Sequence, residues 1–407
     1  MKRDLDRLME ERGLDAILVA GEMRGNAALY YLANGAGVHS GFVLKKRGDE
    51  PVLLCYPMER EEATASGLTV INVNKYDYRS LLREKKSRLD ADVELHRRIF
   101  ADLGVGGRVG FYGLMDRGQA WTLLNALNER LEGVEVVGEY GRSLITAARA
   151  TKDEAEVERI AEVGRRTVAV VEQTVAFLRS HRVKDETLVQ ADGSPLTVGR
   201  VQTEIRQFIA AQQLEAPEGF IFSIGREAGI PHSRGRADAP VVLGQPIIFD
   251  IYPCEAGGGY YFDMTRTFCL GYAPPEVERV YRDVRECVEL LHKSYRLGEK
   301  ARRYQQMTCE FFAQRGHPTV ADEPQTEVGY VHSLGHGVGL SLHESPVFSD
   351  LPSNNEVLRA GHVFACEPGL YYPEQGIGVR IEDVLWMDEE GTVHVLSDFP
   401  RDLVIEL

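Results

Sequence analysis

The sequence predicts two domains of different class: an α/β domain first, then a domain in which long helices precede Gly-rich strands. With 407 residues, the chain is longer than one typical hydrophobic core supports. Up to about residue 140, short apolar strands alternate with helices, a pattern typical of α/β domains. The pattern changes near 141–156, where a long amphipathic segment begins. We expect the domain boundary in this region.

The first part of the chain supports the α/β class element by element. Residues 1–13 have a charged amphipathic helical pattern, and the apolar run LDAILVA (14–20) predicts a strand. Segment 40–56 predicts a hairpin that turns at Arg47-Gly48-Asp49. Further elements alternate after it: strands at 68–73, 108–113 and 134–138, and helices at 90–103 and 117–131. No Gly-rich nucleotide motif follows these strands, and we expect the isolated His39 and His96 to have a surface or structural role and not to bind a ligand.

The second part begins with a helix predicted over 150–180. Glu154, Val157 and Ile160 recur there at helical spacing, and Thr151 and Glu154 have the spacing of a capping box. Two more long helices are predicted, at 197–213 and 275–315.

The composition excludes several classes of function. The formal net charge is −15, which argues against binding of nucleic acid, because such surfaces cluster Lys and Arg. The six cysteines are scattered without a CxxC pair, so we expect free thiols and a cytoplasmic location. The charged N-terminus and the lack of any apolar run of about 18 residues predict neither a signal peptide nor a membrane span.

The first candidate site is a stretch rich in histidine and glycine, HSLGHGVGLSLHESP (332–346). The spacing of His332 and His336 matches a helical zinc motif, but the Glu of that motif is missing, and glycines at 335, 337 and 339 oppose a helix. If the stretch forms a site, we expect its histidines to converge from extended or looping backbone. The partners must then come from elsewhere in the chain.

Two aspartates lie on a hairpin predicted within 245–268. One apolar strand ends at Asp250, and the next carries Asp263 and Thr265 on one face. A turn centred at 256–257 would place Asp250 directly opposite Asp263. Two facing carboxylates repel each other unless a cation lies between them. The alternative is that one aspartate caps a turn while the other faces solvent.

Two glutamates have similar surroundings. Glu367 ends an apolar strand in HVFACEPGLYY, and Glu382 lies within a predicted strand in GIGVRIEDVLW, with Arg380 on the same face. An acid among aliphatic residues is rarely buried unpaired, and for Glu382 a salt bridge to Arg380 is the simpler alternative. One imidazole and four carboxylates are now available: Asp250, Asp263, His336, Glu367 and Glu382. Such a set suits a pair of divalent Mn, Co, Fe or Zn ions better than Ca or Mg.

The words DMTRTF, GHGVGLSLHESP, EPGLYY and GVRIEDV follow one another within residues 250–385. In this order they resemble the motifs of the pita-bread metallopeptidases, a superfamily that includes methionine aminopeptidase, prolidase, Xaa-Pro aminopeptidase and creatinase. The resemblance covers the whole chain. It implies a creatinase-like α/β N-terminal domain over 1–145 and an α+β pita-bread catalytic domain over 150–407. It also implies that the five side chains above bind two divalent metal ions, manganese foremost, with cobalt, zinc or iron as alternatives.

The resemblance implies roles for further residues. His336 matches the metal-binding histidine, whereas His343 of LHE matches the histidine that contacts the substrate's carbonyl group. His232 of GIPHSRG matches the upstream active-site histidine, and His332 the histidine that prolidase-like members carry before the metal ligand. Arg380 matches an arginine that supports the site beside the last glutamate.

The activity implied is hydrolysis of the Xaa-Pro bond at the N-terminus of short proline-containing peptides by a metal-bridged water. Glu367 is expected to move the proton of that water to the leaving nitrogen, and a homodimer is expected, without nucleic acid or membrane partners. Two alternatives stay open: a metal-dependent amidohydrolase of the same fold that acts on a non-peptide C–N bond, and an inactive binding module. All five candidate ligands are present, which favours an enzyme.

Two departures from the family pattern concern the pocket. The aspartates are thirteen residues apart, and the family's usual shorter spacing would put Tyr252, a poor ligand, in the first position. We therefore expect Asp250 to be the first metal ligand and the turn between the two aspartates to be longer than in the family. Val347 takes the place of the arginine that binds the free carboxylate in prolidase-like dipeptidases, although Arg359 could supply another cation. The choice between aminopeptidase and dipeptidase thus stays open.

Overall fold

The computed structural model describes residues 4–407, which divide into two compact units between Arg149 and Ala150. The strands of the first unit are β1 (Ala16–Glu22), β2 (Ser40–Lys46), β3 (Val52–Cys55), β4 (Thr69–Asn72), β5 (Gly107–Gly113) and β6 (Val134–Val137). They form one mixed sheet in the order β4-β3-β2-β1-β5-β6. The hairpin predicted over 40–56 is confirmed as β2 and β3, with Gly48 in its turn at φ +84°.

The helices of the first unit surround this sheet. They are α1 (Leu5–Glu11), α2 (Ala27–Leu32), α3 (Arg60–Thr64), α4 (Tyr78–Glu84), α5 (Arg88–Leu103), α6 (Arg117–Arg130) and α7 (Leu144–Arg149), with 3-10 helices at Pro57–Glu59 and Val73–Tyr76. The core packs Ile99 and Phe100 of α5 with Leu18 and Leu44 of the sheet. Helix α1 lies within the helix predicted over 1–13, of which residues 1–3 fall outside the described residues. The sequence did not predict α2, α3, α4 and α7, because they are too short to display a helical period.

The second unit combines four long helices with several small sheets. Its helices are α8 (Glu154–Arg179), α9 (Val198–Ala211), α10 (Pro275–Ser294) and α11 (Ala301–Ala313), with 3-10 helices at Glu227–Gly229 and Pro373–Gln375. Its strands are β7 (Arg182–Lys184), β8 (Thr187–Val189), β9 (Leu214–Glu215), β10 (Phe220–Ile224), β11 (Pro246–Ile251), β12 (Cys254–Glu255), β13 (Met264–Leu270), β14 (His336–Gly337), β15 (Glu344–Val347), β16 (Val363–Cys366), β17 (Gly369–Tyr372), β18 (Ile377–Arg380), β19 (Asp383–Met387), β20 (Val393–Val395) and β21 (Val404–Ile405).

Two sheets of the second unit carry the candidate site. One has the order β10-β11-β13-β21, the other β15-β14-β16-β19-β20. The hydrophobic core joins Val284 and Leu291 of α10 to Phe364 and Leu385 of the second sheet. No helix among residues 4–407 is long and apolar enough to cross a membrane.

Two helix predictions for the second unit are wrong in detail. The helix predicted over 275–315 is interrupted after α10, where Gly298 adopts φ +82° and its N–H bonds to the Leu358 carbonyl. The capping box of α8 is formed by Asp153 and Glu156, not by Thr151 and Glu154. Each side chain of this pair accepts a hydrogen bond from the other residue's backbone N–H, so the helix begins at Glu154.

The register of the aspartate hairpin also differs from the prediction. Asp250 lies opposite Thr265, so the two aspartates are diagonal neighbours on one face of the β11–β13 pair. The same pairing continues to Cys254 and Tyr261, and the turn is therefore centred between residues 257 and 258, one residue later than predicted. Gly257 and Gly258 adopt φ values of +85° and +96°, a backbone region that favours glycine. A shift of the turn by one residue moves the register by two.

Candidate metal centre

The five predicted ligands come from strands or strand ends of the second unit. Asp250 lies within β11, Asp263 directly precedes β13, and His336 is the first residue of β14. Glu367 directly follows β16, as predicted. Glu382 does not lie within a strand, as the sequence suggested, but in the two-residue break between β18 and β19.

Four of the five side chains converge at close range. Nε2 of His336 lies 3.6 Å from Oδ2 of Asp263 and 3.7 Å from Oε1 of Glu367. Asp263, His336 and Glu382 each offer a ligand atom within 4.8 Å of the other two, and all three are buried. Asp250, also buried, is held at the edge of this group by its contact with Arg380.

The unpartnered oxygens at the centre of this group test whether a metal would fit. Oδ1 of Asp263 and Oε1 of Glu382 are buried and have no hydrogen-bond partner within the described part of the chain. A buried carboxylate oxygen without a donor is strongly unfavourable, and a cation is the usual compensation. The residues present therefore fit a site for divalent metal ions.

The electrostatics of the carboxylates lead to the same conclusion. Burial, followed by the negative charge of Asp250, raises the pKa of Glu382 to about 8. Burial and the charge of Glu382 raise the pKa values of Asp263 and Glu367 well above the ordinary range. Mutual repulsion of this kind keeps protons on the carboxylates until cations replace them.

His336 presents a neutral nitrogen to the carboxylates. Its Nδ1 lies 3.1 Å from the Gly337 carbonyl, to which an Nδ1–H can donate, so the lone pair belongs to Nε2. Burial, with the nearby His343, lowers the pKa of His336 to about 4.

Glycine at position 337 allows the strand of His336 to lie close to its neighbour, because a Cβ there would lie 2.1 Å from the Ser345 carbonyl oxygen. The glycines thus serve close approach between neighbouring strands.

Arg380 organises the polar side chains behind the centre. Its Nη2 donates to Asp250, its Nε to Oγ1 of Thr265 at 3.0 Å, and its Nη1 to the Tyr371 hydroxyl at 2.7 Å. Thr265 in turn donates to Oε2 of Glu382 at 2.7 Å. The salt bridge between Arg380 and Glu382 that the sequence offered as an alternative is therefore wrong: Asp250 is the partner. The sequence did not single out Tyr371, although it lies in the word EPGLYY.

His332 belongs to the same network. Its Nε2 lies 3.0 Å from the Tyr371 hydroxyl, and its Nδ1 lies 2.7 Å from the Ser333 carbonyl. Burial, with the charge of Arg380, lowers the pKa of His332 to about 4. A neutral imidazole at this position accepts from Tyr371 and donates to Ser333, so both ring nitrogens have partners.

The two remaining histidines lie on the exposed side of the centre. The ring of His343 is 4.2 Å from that of His336, centroid to centroid, and its side chain is exposed. Desolvation lowers the pKa of His343, the charge of Glu218 opposes this, and His232 contributes to the lowering. His232 is exposed and follows Pro231, whose carbonyl accepts from Nη1 of Arg380 at 3.3 Å. Both imidazoles are thus exposed, whereas His336 is buried.

The fold is the one that the resemblance to metallopeptidases predicts. The family model of metallopeptidase family M24 matches residues 158–389, more than half of the chain. This chain belongs to metallopeptidase family M24, as the resemblance to the pita-bread metallopeptidases predicted.

Several proteins of this family are similar to the chain over different lengths. The Xaa-Pro dipeptidase of Pyrococcus furiosus is 26% identical, over 99% of this chain and 100% of that protein. The probable dipeptidase PepE of Mycobacterium tuberculosis is 28% identical, over 63% of this chain and 61% of its own length. The match to that dipeptidase thus spans about three fifths of it.

Solved structures show the same fold. The X-Pro aminopeptidase from Thermotoga maritima superposes with a TM-score of 0.76 at 20% identity, over 98% of this chain and 100% of that chain. The Xaa-Pro dipeptidase from Bacillus anthracis gives a TM-score of 0.76 at 22% identity, with 99% of each chain covered. The predicted fold class, an α/β N-terminal domain and an α+β pita-bread catalytic domain, is confirmed.

Proposed function

We propose that this protein is a metal-dependent peptidase that hydrolyses the Xaa-Pro bond at the N-terminus of short peptides. One observation carries the proposal: buried oxygens of Asp263 and Glu382 lack hydrogen-bond partners within residues 4–407, beside Nε2 of His336. Membership of family M24 supports the reaction class, and likeness to an Xaa-Pro dipeptidase over nearly the whole chain supports the substrate.

The residues that would hold the metal are four acids and one histidine. They are Asp250, Asp263, His336, Glu367 and Glu382. Bound divalent cations would supply the Lewis acidity that polarises a carbonyl group and lowers the pKa of water. We propose two Mn²⁺ ions, because four carboxylates with one imidazole favour manganese over a softer metal.

Glu367 is the proposed proton carrier. Its side chain is 19% exposed, whereas those of Asp263 and Glu382 are almost fully buried, so substrate and water can reach its carboxylate. Burial raises its pKa, which suits a group that must take a proton and release it again. In this role a Glu367 oxygen accepts the proton of the attacking water and donates it to the leaving nitrogen.

The histidines and Arg380 position the reactants. His343 and His232 are exposed beside the centre, where their N–H groups can donate to the carbonyl oxygen as negative charge develops on it. His332 and Arg380 hold Tyr371 between them, and Arg380 orients Asp250. We assign these two residues to positioning.

Metal analysis and peptide hydrolysis together test the proposal. The protein is dialysed against a chelator, and its metal content and its cleavage of Ala-Pro peptides are measured before and after addition of Mn²⁺. We expect activity to depend on the metal, and we expect Asp263→Asn and Glu382→Gln to lose both metal and activity. Glu389→Gln, an exposed glutamate close to the site in sequence, is the matched control. Cleavage that is equally fast without metal would contradict the proposal.

The proposal extends to domains, assembly and location. We assign the creatinase-like domain predicted over 1–145 to the first unit, and the catalytic domain predicted over 150–407 to the second. A homodimer is proposed from the resemblance, and light scattering of the purified protein tests it. All six cysteines are buried free thiols, which supports a reducing cytoplasmic location, tested by cell fractionation.

A further inference from the structure

The exposed side of the metal centre carries a guanidinium group that no carboxylate in the described residues neutralises. Arg234 is exposed, and its Nη2 donates to the Glu218 carbonyl at 2.8 Å. Its Cζ lies 3.2 Å from the position that a Cβ on Gly219 would occupy. The side chain therefore lies across the backbone of Gly219, and the Glu218 carbonyl accepts from one of its nitrogens.

The sheet register places this guanidinium near the metal ligands. Strand β10 pairs with β11 so that Phe220 is opposite Ile251, one residue after Asp250. Gly219 precedes β10 and continues this register towards Tyr252. Neighbouring strands lie about 4.8 Å apart, so Arg234 lies beside the end of β11.

The segment 231–234 is held by hydrogen bonds at its first and last residues. The Arg234 carbonyl accepts from Nε2 of Gln202 on α9 at 2.6 Å, and the Pro231 carbonyl accepts from Arg380. His232, one of the proposed oxyanion donors, lies between these anchors. A substrate group that contacts Arg234 therefore lies next to the substrate atoms that His232 contacts.

The chemistry of this position suits a carboxylate. A guanidinium binds a carboxylate through two parallel hydrogen bonds, and here it has no competing acidic partner in the described chain. Position 347, where the resemblance places an arginine for this purpose, holds Val347, which lies opposite His336 in the β14–β15 pair.

We propose that Arg234 binds the free α-carboxylate of an Xaa-Pro dipeptide and so replaces the missing arginine at position 347. The inference rests on the proposed function and narrows its substrates to peptides that end at the proline. Arg234 acts as a specificity residue, because it contacts a part of the substrate that does not react.

A matched pair of substrates tests this inference with the Mn²⁺-loaded protein. Ala-Pro has the carboxylate, and Ala-Pro-amide lacks only its charge. We expect the wild type to prefer Ala-Pro by about tenfold or more in kcat/KM, the scale of one charge-assisted contact. Arg234→Met should remove this preference by raising KM for Ala-Pro, and its kcat/KM for Ala-Pro-amide should stay within about twofold of the wild-type value. Arg234→Lys keeps the positive charge and should retain part of the preference.

The controls separate this role from others. Arg236→Met, which removes a neighbouring arginine paired with Glu227 and Asp238, should change neither substrate. Equal losses for both substrates in Arg234→Met, no loss at all, or a selective loss in Arg359→Met would overturn the inference while the proposed function stands. If the wild type cleaved neither substrate, the proposed function would fail and this inference with it.

Discussion

Lys152 and Glu344 form a buried ion pair, with 3.1 Å between Nζ and Oε2 and only 1% and 3% of the two side chains exposed. The other carboxylate oxygen of Glu344 accepts the Ser341 N–H at 2.9 Å, and Nζ of Lys152 also donates to the Ala150 carbonyl. Glu344 directly follows His343. The pair thus fixes the backbone next to His343 to the start of the second unit.

Removing one partner of this pair should destabilise the protein strongly. Lys152→Met removes one partner of a buried ion pair, a change that costs about 3–5 kcal/mol of folding stability. We expect a lower urea midpoint and reduced kcat, because His343 loses its fixed position. In Arg165→Met, which breaks an exposed ion pair with Glu158, the loss should stay below about 1 kcal/mol. Equal losses of stability in the two variants would show that the buried ion pair stabilises the fold no more than an exposed one.

Glu367→Gln should reduce kcat by about 10²-fold or more, because an amide cannot accept and return a proton. The protein should remain folded, since the substitution conserves shape. Steady-state kinetics and circular dichroism check this expectation. A variant with wild-type kcat would remove Glu367 from proton transfer.

The two neighbouring histidines should separate metal binding from catalysis. His336→Ala should lose metal, because Nε2 faces Asp263 and Glu367. His343→Ala should keep its metal and lose mainly kcat, because the side chain lies on the exposed side. Metal content by mass spectrometry, measured beside kcat, distinguishes the two. Equal metal loss in both variants would contradict this division of roles.

His96 should make the stability of the first unit depend on pH. The side chain is buried between Phe42 and Phe100, its Nδ1 bonds to the Asp92 carbonyl, and burial lowers its pKa below the ordinary value of 6.5. Above pH 6.5 the imidazole is neutral in both states, and its full contribution is present. As the pH falls below 6.5, His96 of the unfolded chain binds a proton while His96 of the folded protein stays neutral. The free energy of unfolding therefore decreases until the pH reaches the lowered pKa of the folded protein.

Urea denaturation of wild type and His96→Leu at pH 5, 6 and 7 measures this effect. The variant should lose less stability than the wild type between pH 7 and pH 5, because it lacks the titrating group. His39→Gln, which replaces an exposed histidine of the same unit, should follow the wild type. Parallel pH dependences in His96→Leu and wild type would show that His96 does not contribute.

Local patterns predicted most of the elements around the site. Period-two alternation and apolar runs identified β11, β13 and β16, and the acids at their ends, because side-chain direction along a strand follows from the chain itself. The roles of Asp250, Asp263, His336, Glu367 and Glu382 as ligands stay a prediction.

The turn of the aspartate hairpin marks the limit of such patterns. Three successive glycines allow several turn positions, and the choice between them shifted Thr265 into the place predicted for Asp263. The interruption between α10 and α11 depends on a hydrogen bond to Leu358, which is distant in sequence. Local periodicity carries no information about such partners.

The sequence by itself determined the family, the two-part organisation and the acids and imidazoles available for chemistry, because motif order and strand periodicity are properties of the chain. Only the tertiary structure decided that Arg380 pairs with Asp250, that Tyr371 joins it to His332, and that Lys152 holds Glu344. Each of these contacts joins residues that are far apart in sequence or on different strands. The packing of the whole unit decides which of several chemically similar side chains each of these residues contacts.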